Sequence, residues 1–210
     1  MKTIAVIAAD GRSGREFVRL ALDAGHKVRA GVYNDSTFPD HNRLTVLPCD
    51  ATKADEVRAL IQGSDTVVSM IGHGKHSPAR VQTDAINVIC EAMQQEGVSR
   101  IVSLTGTGVR FPGDTPSVFD RLANRAISII DPKRVQDGIE HAKYLKQTSL
   151  NWTILRILKL GNGTHSGKVV MSLTGPAELL TPRTRAAAAA LQVIKDETYL
   201  RQSPIITGVE

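Results

Sequence analysis

Short, almost wholly apolar runs rich in β-branched residues recur along this chain, and longer amphipathic stretches separate them. The candidate strands are Thr3–Ala8, Val28–Val32, Leu44–Leu47, Thr66–Ile71, Arg100–Thr105, Trp152–Ile157 and Val169–Leu173. A strand with one wet face alternates apolar and polar residues. These runs do not alternate, which predicts strands covered on both faces, as in a parallel sheet sandwiched by helices. In the intervening stretches Phe17, Leu20, Ala21 and Ala24 recur at helical spacing, with Gly25 where a helix would stop. Val57, Leu60 and Ile61 before Gly63 repeat the device, as do Ala85, Val88, Ile89 and Ala92 before Gly97. Thr181-Pro182 reads as an N-cap and first-turn pair for a helix through Ala186–Ile194. Strand and helix in alternation predict an α/β fold: one doubly wound parallel sheet in three layers, spanning residues 1–210 as a single domain. The Pro- and Gly-containing stretch 107–132 stands apart as a loop and short helix. Together with 157–182 it is expected to form a small substrate-side region.

Composition narrows the class. The 210 residues are 41% hydrophobic and 22% charged, which excludes a disordered chain, and no apolar run approaches the ~20 residues a membrane span requires. The two cysteines, Cys49 and Cys90, are too few for a disulfide scaffold and form no Cys-x-x-Cys pair, so a cytoplasmic, reducing compartment is expected. The formal charge is +5, and the cations are scattered. With aromatics at 4%, stacking platforms for bases are few. A small phosphorylated ligand is favoured, with no nucleic acid and no membrane as partner, in a monomer or small homo-oligomer.

The sharpest motif is Ala8-Ala9-Asp10-Gly11-Arg12-Ser13-Gly14-Arg15, directly after the first strand and directly before the first helix. A strand delivers the chain into a tight turn there. Small residues let the backbone approach a pyrophosphate, and the helix start presents unpaired N–H groups with partial positive charge. A glycine pattern alone is weak; flanked by strand, helix and second strand it is a strong dinucleotide signal.

With alanine for the first glycine, this G-x-x-G-x-x-G spacing resembles the atypical short-chain dehydrogenase/reductase superfamily. The likeness is nearest to small NmrA-like NAD(P)-binding proteins and to the biliverdin-IXβ/flavin reductase group. It continues through Cys49-Asp50-Ala51-Thr52, Asp65–Gly72, Ser99–Thr105 and Leu150–Arg156, and so covers nearly the whole chain. The resemblance implies a Rossmann fold. It implies cofactor contacts at Ala8, Asp10, Gly11, Arg12, Ser13, Gly14, Tyr33, Asn34, Asp50, Ala51, Met70, Ile71, Gly72, Thr105 and Ile157. It offers Thr105 and Lys143 as catalytic candidates: Lys143 matches a helix lysine of the flavin reductase group, while Ala142 stands where that group has histidine.

Two departures bear on chemistry. The family usually has proline after the arginine of the sixth strand, and here it is Ile157. None of Tyr33, Tyr144 and Tyr199 has lysine four residues on, so the Tyr-x-x-x-Lys proton relay is missing. The end of the second strand reads Val32-Tyr33-Asn34-Asp35. An acid there suits the ribose of NAD, so Asp35 leaves NAD open, while Arg12 and the basic balance favour NADP. His73 and His76 in Gly72-His73-Gly74-Lys75-His76 have no third ligand nearby, so no metal is expected, and the segment reads as a loop over the cofactor with Lys75 near a phosphate. Cys49 and Cys90 read as buried structural thiols. Three functions remain in play: a reductase passing hydride to a flavin, quinone or carbonyl acceptor, a non-catalytic dinucleotide sensor, and a sugar-nucleotide epimerase. The short chain argues against the last.

Overall fold

The computed structural model describes residues 1–33, 38–74 and 77–210. Among these, β1 (Thr3–Ile7), β2 (Lys27–Val32), β3 (Leu44–Pro48), β4 (Thr66–Ser69), β5 (Arg100–Gly106), β6 (Asn151–Ile157), β8 (Val169–Ser172) and β10 (Ile205–Val209) form one sheet. Two-residue strands β7 (Leu160–Gly161) and β9 (Thr181–Pro182) pair separately. The order β3-β2-β1-β4-β5-β6-β10-β8 reverses direction between β1 and β4, where Ile4 lies between Val28 and Thr66. Open α/β sheets bind ligands outside the carboxyl ends of the strands at such a reversal.

Helices α1 (Arg12–Asp23) and α6 (Arg183–Lys195) cover one face of the sheet, and α2 (Ala54–Ile61), α3 (Val81–Gln95) and α5 (Pro132–Gln147) the other. Of the stripe read from the sequence, Phe17 and Ala21 do the covering and Leu20 packs partly buried beside them, whereas Ala24 is the exposed C-cap of α1. Phe17, Val18 and Ala21 of α1 are buried against Val6, Val28 and Val68. Each large side chain so removed from water contributes about 1.5–3 kcal/mol. Ala186, Ala187, Ala189 and Ala190 of α6 are wholly buried in the same cluster. Side chains this small let α6 lie close along α1, and because both helices return from the carboxyl edge of the sheet, their N-termini sit side by side there.

Several expectations are corrected. The sheet is not wholly parallel: β10 was not anticipated, because Gly208 interrupts a five-residue run, and it pairs antiparallel with β8. Thr181 does not cap α6. It belongs to β9, and Pro182 is the N-cap. The first strand ends at Ile7, the fourth at Ser69 and the eighth at Ser172, so Ala8, Met70, Ile71 and Leu173 lie beyond the ladder. β3 is a half-exposed edge strand rather than a covered one. The stretch 107–132 holds a full helix, α4 (Val118–Ile130), started by a capping box in which Ser117 Oγ accepts from Asp120 N and Asp120 Oδ2 accepts from Ser117 N.

Candidate functional site

The glycine turn brings the backbone of α1 against β1. A Cβ built on Gly14 would stand 2.2 Å from Ala8 O and 2.8 Å from both Ala9 Cα and Ala9 O, all backbone atoms. Only glycine permits that approach. Ala8 takes φ +56°, in the left-handed region that glycine adopts freely and alanine at a cost of roughly 1 kcal/mol. Gly11 is the N-cap of α1 and, having no side chain, offers no cap hydrogen bond. Among the described residues the N–H groups of Arg12, Ser13 and Gly14 have no hydrogen-bond partner. Three donors at a positive helix end, reached through a cradle that a single methyl would fill, fit a diphosphate.

The neighbouring strand ends complete the corner. Asp10 Oδ2 accepts from Tyr33 N at 3.3 Å, tying the turn to the end of β2, and the Tyr33 side chain is exposed. Asn34, Asp35, Lys75 and His76 lie outside the described residues. After β3, Asp50 accepts from Thr52 N at 3.0 Å and from Thr52 Oγ1 at 2.7 Å; the backbone bond first of all holds its carboxyl below the usual range, and it stays ionised. Ala51 is half-buried beside it. After β4, Met70 and Ile71 are buried and Gly72 is exposed. Gln82 Nε2 donates to Ile71 O at 2.9 Å and to Leu104 O at 3.1 Å, locking together the chain ends leaving β4 and β5.

Thr105, near the carboxyl end of β5, is 7% exposed, and among the described residues its Oγ1 has no partner. A Cβ on Gly138 of α5 would stand 2.7 Å from that oxygen, so the helix passes close over the hydroxyl. Behind it the buried Asp137 carboxylate accepts from Gln82 N (2.9 Å), Thr83 N (2.9 Å) and Thr83 Oγ1 (2.6 Å). His73 Nε2 lies 2.9 Å from Asp137 Oδ2 without hydrogen-bond alignment. Asp137 therefore anchors the start of α3 and the loop after β4 from one point.

Arg156 of β6 is fully buried. Its guanidinium donates to Asp114 Oδ2 (2.6 Å) and Oδ1 (2.9 Å), and to the carbonyls of Val109, Leu173 and Ser203, and stacks over Phe111. Burial works against the Asp114 carboxylate, and the bonds from Arg156 and Phe111 N outweigh it, leaving its pKa below the ordinary value. Ile157, in the place of the family's proline, buries its side chain in the core on the α1 face, and its carbonyl accepts from Thr107 N at 3.1 Å.

Lys143 is not brought to this corner. It is exposed on α5 five residues past Gly138, and α5 runs from there back toward the opposite edge of the sheet. His141 and Ala142, two residues and one residue earlier, are the buried ones. Burial pushes His141 down to about 4, against the opposing charge of Asp137, so this ring is neutral. Cys49 and Cys90 are buried free thiols held up at about 12 by burial, which keeps them unreactive. Among the described residues no three His, Cys, Asp or Glu side chains gather as metal ligands. Sequence reasoning missed Arg183, at the start of α6. Burial first, and the nearby charge of Arg12 second, lower its pKa, and it donates to Asn162 Oδ1 at 2.8 Å. Its only sequence signal is a basic residue opening a helix; that this helix starts beside α1 is a tertiary fact.

A doubly wound sheet, an uncapped helix start at its reversal and strand ends converging on one corner define a dinucleotide-binding protein. Residues 8–197 match the NAD(P)H-binding family, and the chain belongs to that family. A nicotinamide dinucleotide is thus its cofactor class. The chain is 24% identical to an uncharacterized chloroplastic protein of Arabidopsis thaliana over 182 residues, a match that spans 81% of this chain and 63% of that one. The crystal structure of the oxidoreductase ylbE from Lactococcus lactis superposes with a TM-score of 0.81 at 16% identity, covering 99% of this chain and 91% of that one. A short-chain dehydrogenase/reductase from Veillonella parvula, solved in complex with NADP, gives 0.79 at 16% identity, with 98% and 94% covered. No described helix is long and apolar enough to cross a membrane.

Proposed function

We propose that the protein is an NADPH-dependent reductase that passes hydride to a small planar or carbonyl acceptor, such as a flavin, a quinone or an aldehyde. The observation that carries the reading is the pairing, at one sheet edge, of three unpartnered helix N–H groups with the buried, unpartnered Thr105 hydroxyl. The bound nicotinamide supplies the hydride. The residues supply position. The first turn of α1 holds the diphosphate, Ala8 and Gly14 keep that turn close, and Asp10 and Tyr33 border the adenosine ribose. Asp50 and Ala51 flank the adenine, while Met70, Ile71 and Gly72 pass beneath the ribose and diphosphate. Thr105 Oγ1 donates a hydrogen bond to the acceptor carbonyl or to the carboxamide, and Ile157 backs the nicotinamide. Arg12 favours the extra phosphate of NADPH over NADH. The acceptor walls come from 107–132 and 157–182 within one domain of residues 1–210. The two unpaired thiols suit a reducing compartment, the cytoplasm.

Easily reduced acceptors such as flavins and quinones need no protein acid in the hydride step, which accommodates the missing tyrosine-lysine relay. That same absence favours, as a second reading, an NmrA-like sensor that binds NADPH without turnover. Steady-state oxidation of NADPH with flavins, quinones and simple aldehydes, run beside calorimetric titration with NADPH and NADH, separates the two. Turnover with any acceptor supports the reductase. Tight binding without turnover supports the sensor, and absence of binding removes both.

A further inference from the structure

Helix α4 carries an outward apolar face for which the reductase chemistry has no use. Asp120, Ala123, Asn124 and Ile127 face the body of the protein: Asn124 Nδ2 donates to Thr107 Oγ1 at 3.1 Å, and Asp120 Oδ2 accepts from Ala177 N at 3.2 Å. At about 100° per residue, Val118, Phe119, Leu122, Ala126, Ile129 and Ile130 fall on a separate stripe. The large side chains of that stripe are 74% (Val118), 59% (Phe119), 62% (Leu122), 74% (Ile129) and 82% (Ile130) exposed. One helix thus turns five large apolar side chains to water, a concentration that soluble surfaces rarely carry without a partner.

The charge around it identifies the partner. Residues 110–134 contain five cations, Arg110, Arg121, Arg125, Lys133 and Arg134, all exposed. They contain three acids, all engaged: Asp114 by Arg156, Asp120 by Ser117 N and Ala177 N, and Asp131 by Arg134 N. Arg121 and Arg125 lie along one flank of the stripe, and neither makes an ion pair among the described residues. A second copy docked helix to helix would set these arginines near their own equivalents with no free carboxylate to pair them. An apolar stripe flanked by unneutralised arginines matches the hydrocarbon boundary and phosphate layer of an anionic bilayer.

We propose that α4 docks the protein on the surface of anionic membranes, with Val118, Phe119, Leu122, Ile129 and Ile130 entering the acyl boundary and Arg121 and Arg125 meeting the lipid phosphates. This revises the expectation of no membrane partner, which rested on the absence of a spanning run and did not consider a surface helix. The inference stands on α4 alone and does not depend on the reductase reading.

The test is vesicle flotation of the full chain at low salt, with phosphatidylcholine alone and with phosphatidylcholine mixed with phosphatidylglycerol. The wild type is expected to float with the mixed vesicles and not with the neutral ones. Arg121→Gln/Arg125→Gln should weaken binding by about 30-fold, the value for two surface cations. Leu122→Asp/Ile129→Asp should abolish it with unchanged thermal unfolding, since both side chains already face water. Absence of flotation with the anionic vesicles would overturn the proposal, as would equal flotation with neutral ones or flotation that survives the double aspartate. A wild-type dimer that the aspartates dissociate would overturn it in favour of a second copy.

Discussion

Replacing Gly14 by alanine tests the phosphate turn with a single methyl group. The new Cβ would lie 2.2 Å from Ala8 O, where ordinary contact begins at 3.4 Å, so the start of α1 must withdraw from β1 by the difference, about 1.2 Å. The obstructing atoms are backbone on both sides, and no side chain can swing away. Overpacking of this kind costs about 1–3 kcal/mol, against up to ~1 kcal/mol gained from alanine's better helix propensity. A net loss of about 1 kcal/mol in a domain this size lowers Tm by about 2–4 °C, so the variant folds. Binding should suffer far more. A hydrogen bond to a charged acceptor contributes about 1.5–3 kcal/mol, and a 1.2 Å withdrawal puts at least two of the Arg12, Ser13 and Gly14 donors out of reach of a phosphate. NADPH affinity is then expected to fall by about 100-fold or more, measured by calorimetry with thermal melts as the fold control. An alanine variant that binds NADPH within about threefold of wild type, a change of ~0.7 kcal/mol, would refute the assignment of the diphosphate to this turn.

Other expectations can be checked on the same preparation. Thr105→Val removes a hydroxyl that has no partner among the described residues, so stability should hold within about 1 kcal/mol while kcat with a carbonyl acceptor falls about tenfold or more; an unchanged kcat would remove Thr105 from the chemistry. Arg156→Met leaves Asp114 buried and uncompensated and should cost about 3–5 kcal/mol in denaturant unfolding, with part recovered by adding Asp114→Asn. His141 has a folded pKa of about 4, below its ordinary 6.5, so the unfolded chain binds its proton first as the solution is acidified. Its stabilising effect is full above about pH 6.5 and is lost toward pH 4, by up to about 3 kcal/mol. Melts from pH 7 to pH 4.5 should therefore fall more steeply for wild type than for His141→Asn, and parallel curves would contradict the assignment. Ala8→Gly relieves the positive φ and should raise stability or leave it unchanged, by at most about 1 kcal/mol; a clear drop in Tm would argue against strain at this turn.

Much of the architecture was legible because its signals are local. Apolar runs of four to seven residues, helical spacing of Phe17, Leu20 and Ala21, and glycines that end helices are each decided within a few residues of chain. The turn from Ala8 to Gly14 was legible for the same reason, since strand, bend and helix start are contiguous. What escaped needs distant partners. β10 is a strand because β6 and β8 flank it, and its own five residues, broken by Gly208, carry little pattern. Arg183 lies near Arg12 only because the alanines of α6 let that helix pack along α1. Asp137 reads as a polar helix residue until the starts of α3 and of the loop after β4 are seen to converge on its oxygens. Lys143 shows the reverse error: one residue of register separates it from the buried Ala142, and a match to a short motif cannot resolve a helix face.

The manner in which Arg156 is bonded has a bearing on how this scaffold can diversify. Among the described residues three of its acceptors are main-chain oxygens, at Val109, Leu173 and Ser203, and Asp114 is the lone side chain. Substituting neighbouring loop residues would alter the shape and polarity of the proposed acceptor chamber while leaving those carbonyls where the guanidinium fixes them. Selection could thus rework what the chamber admits, generation after generation, around a mooring whose own partners are indifferent to amino-acid identity.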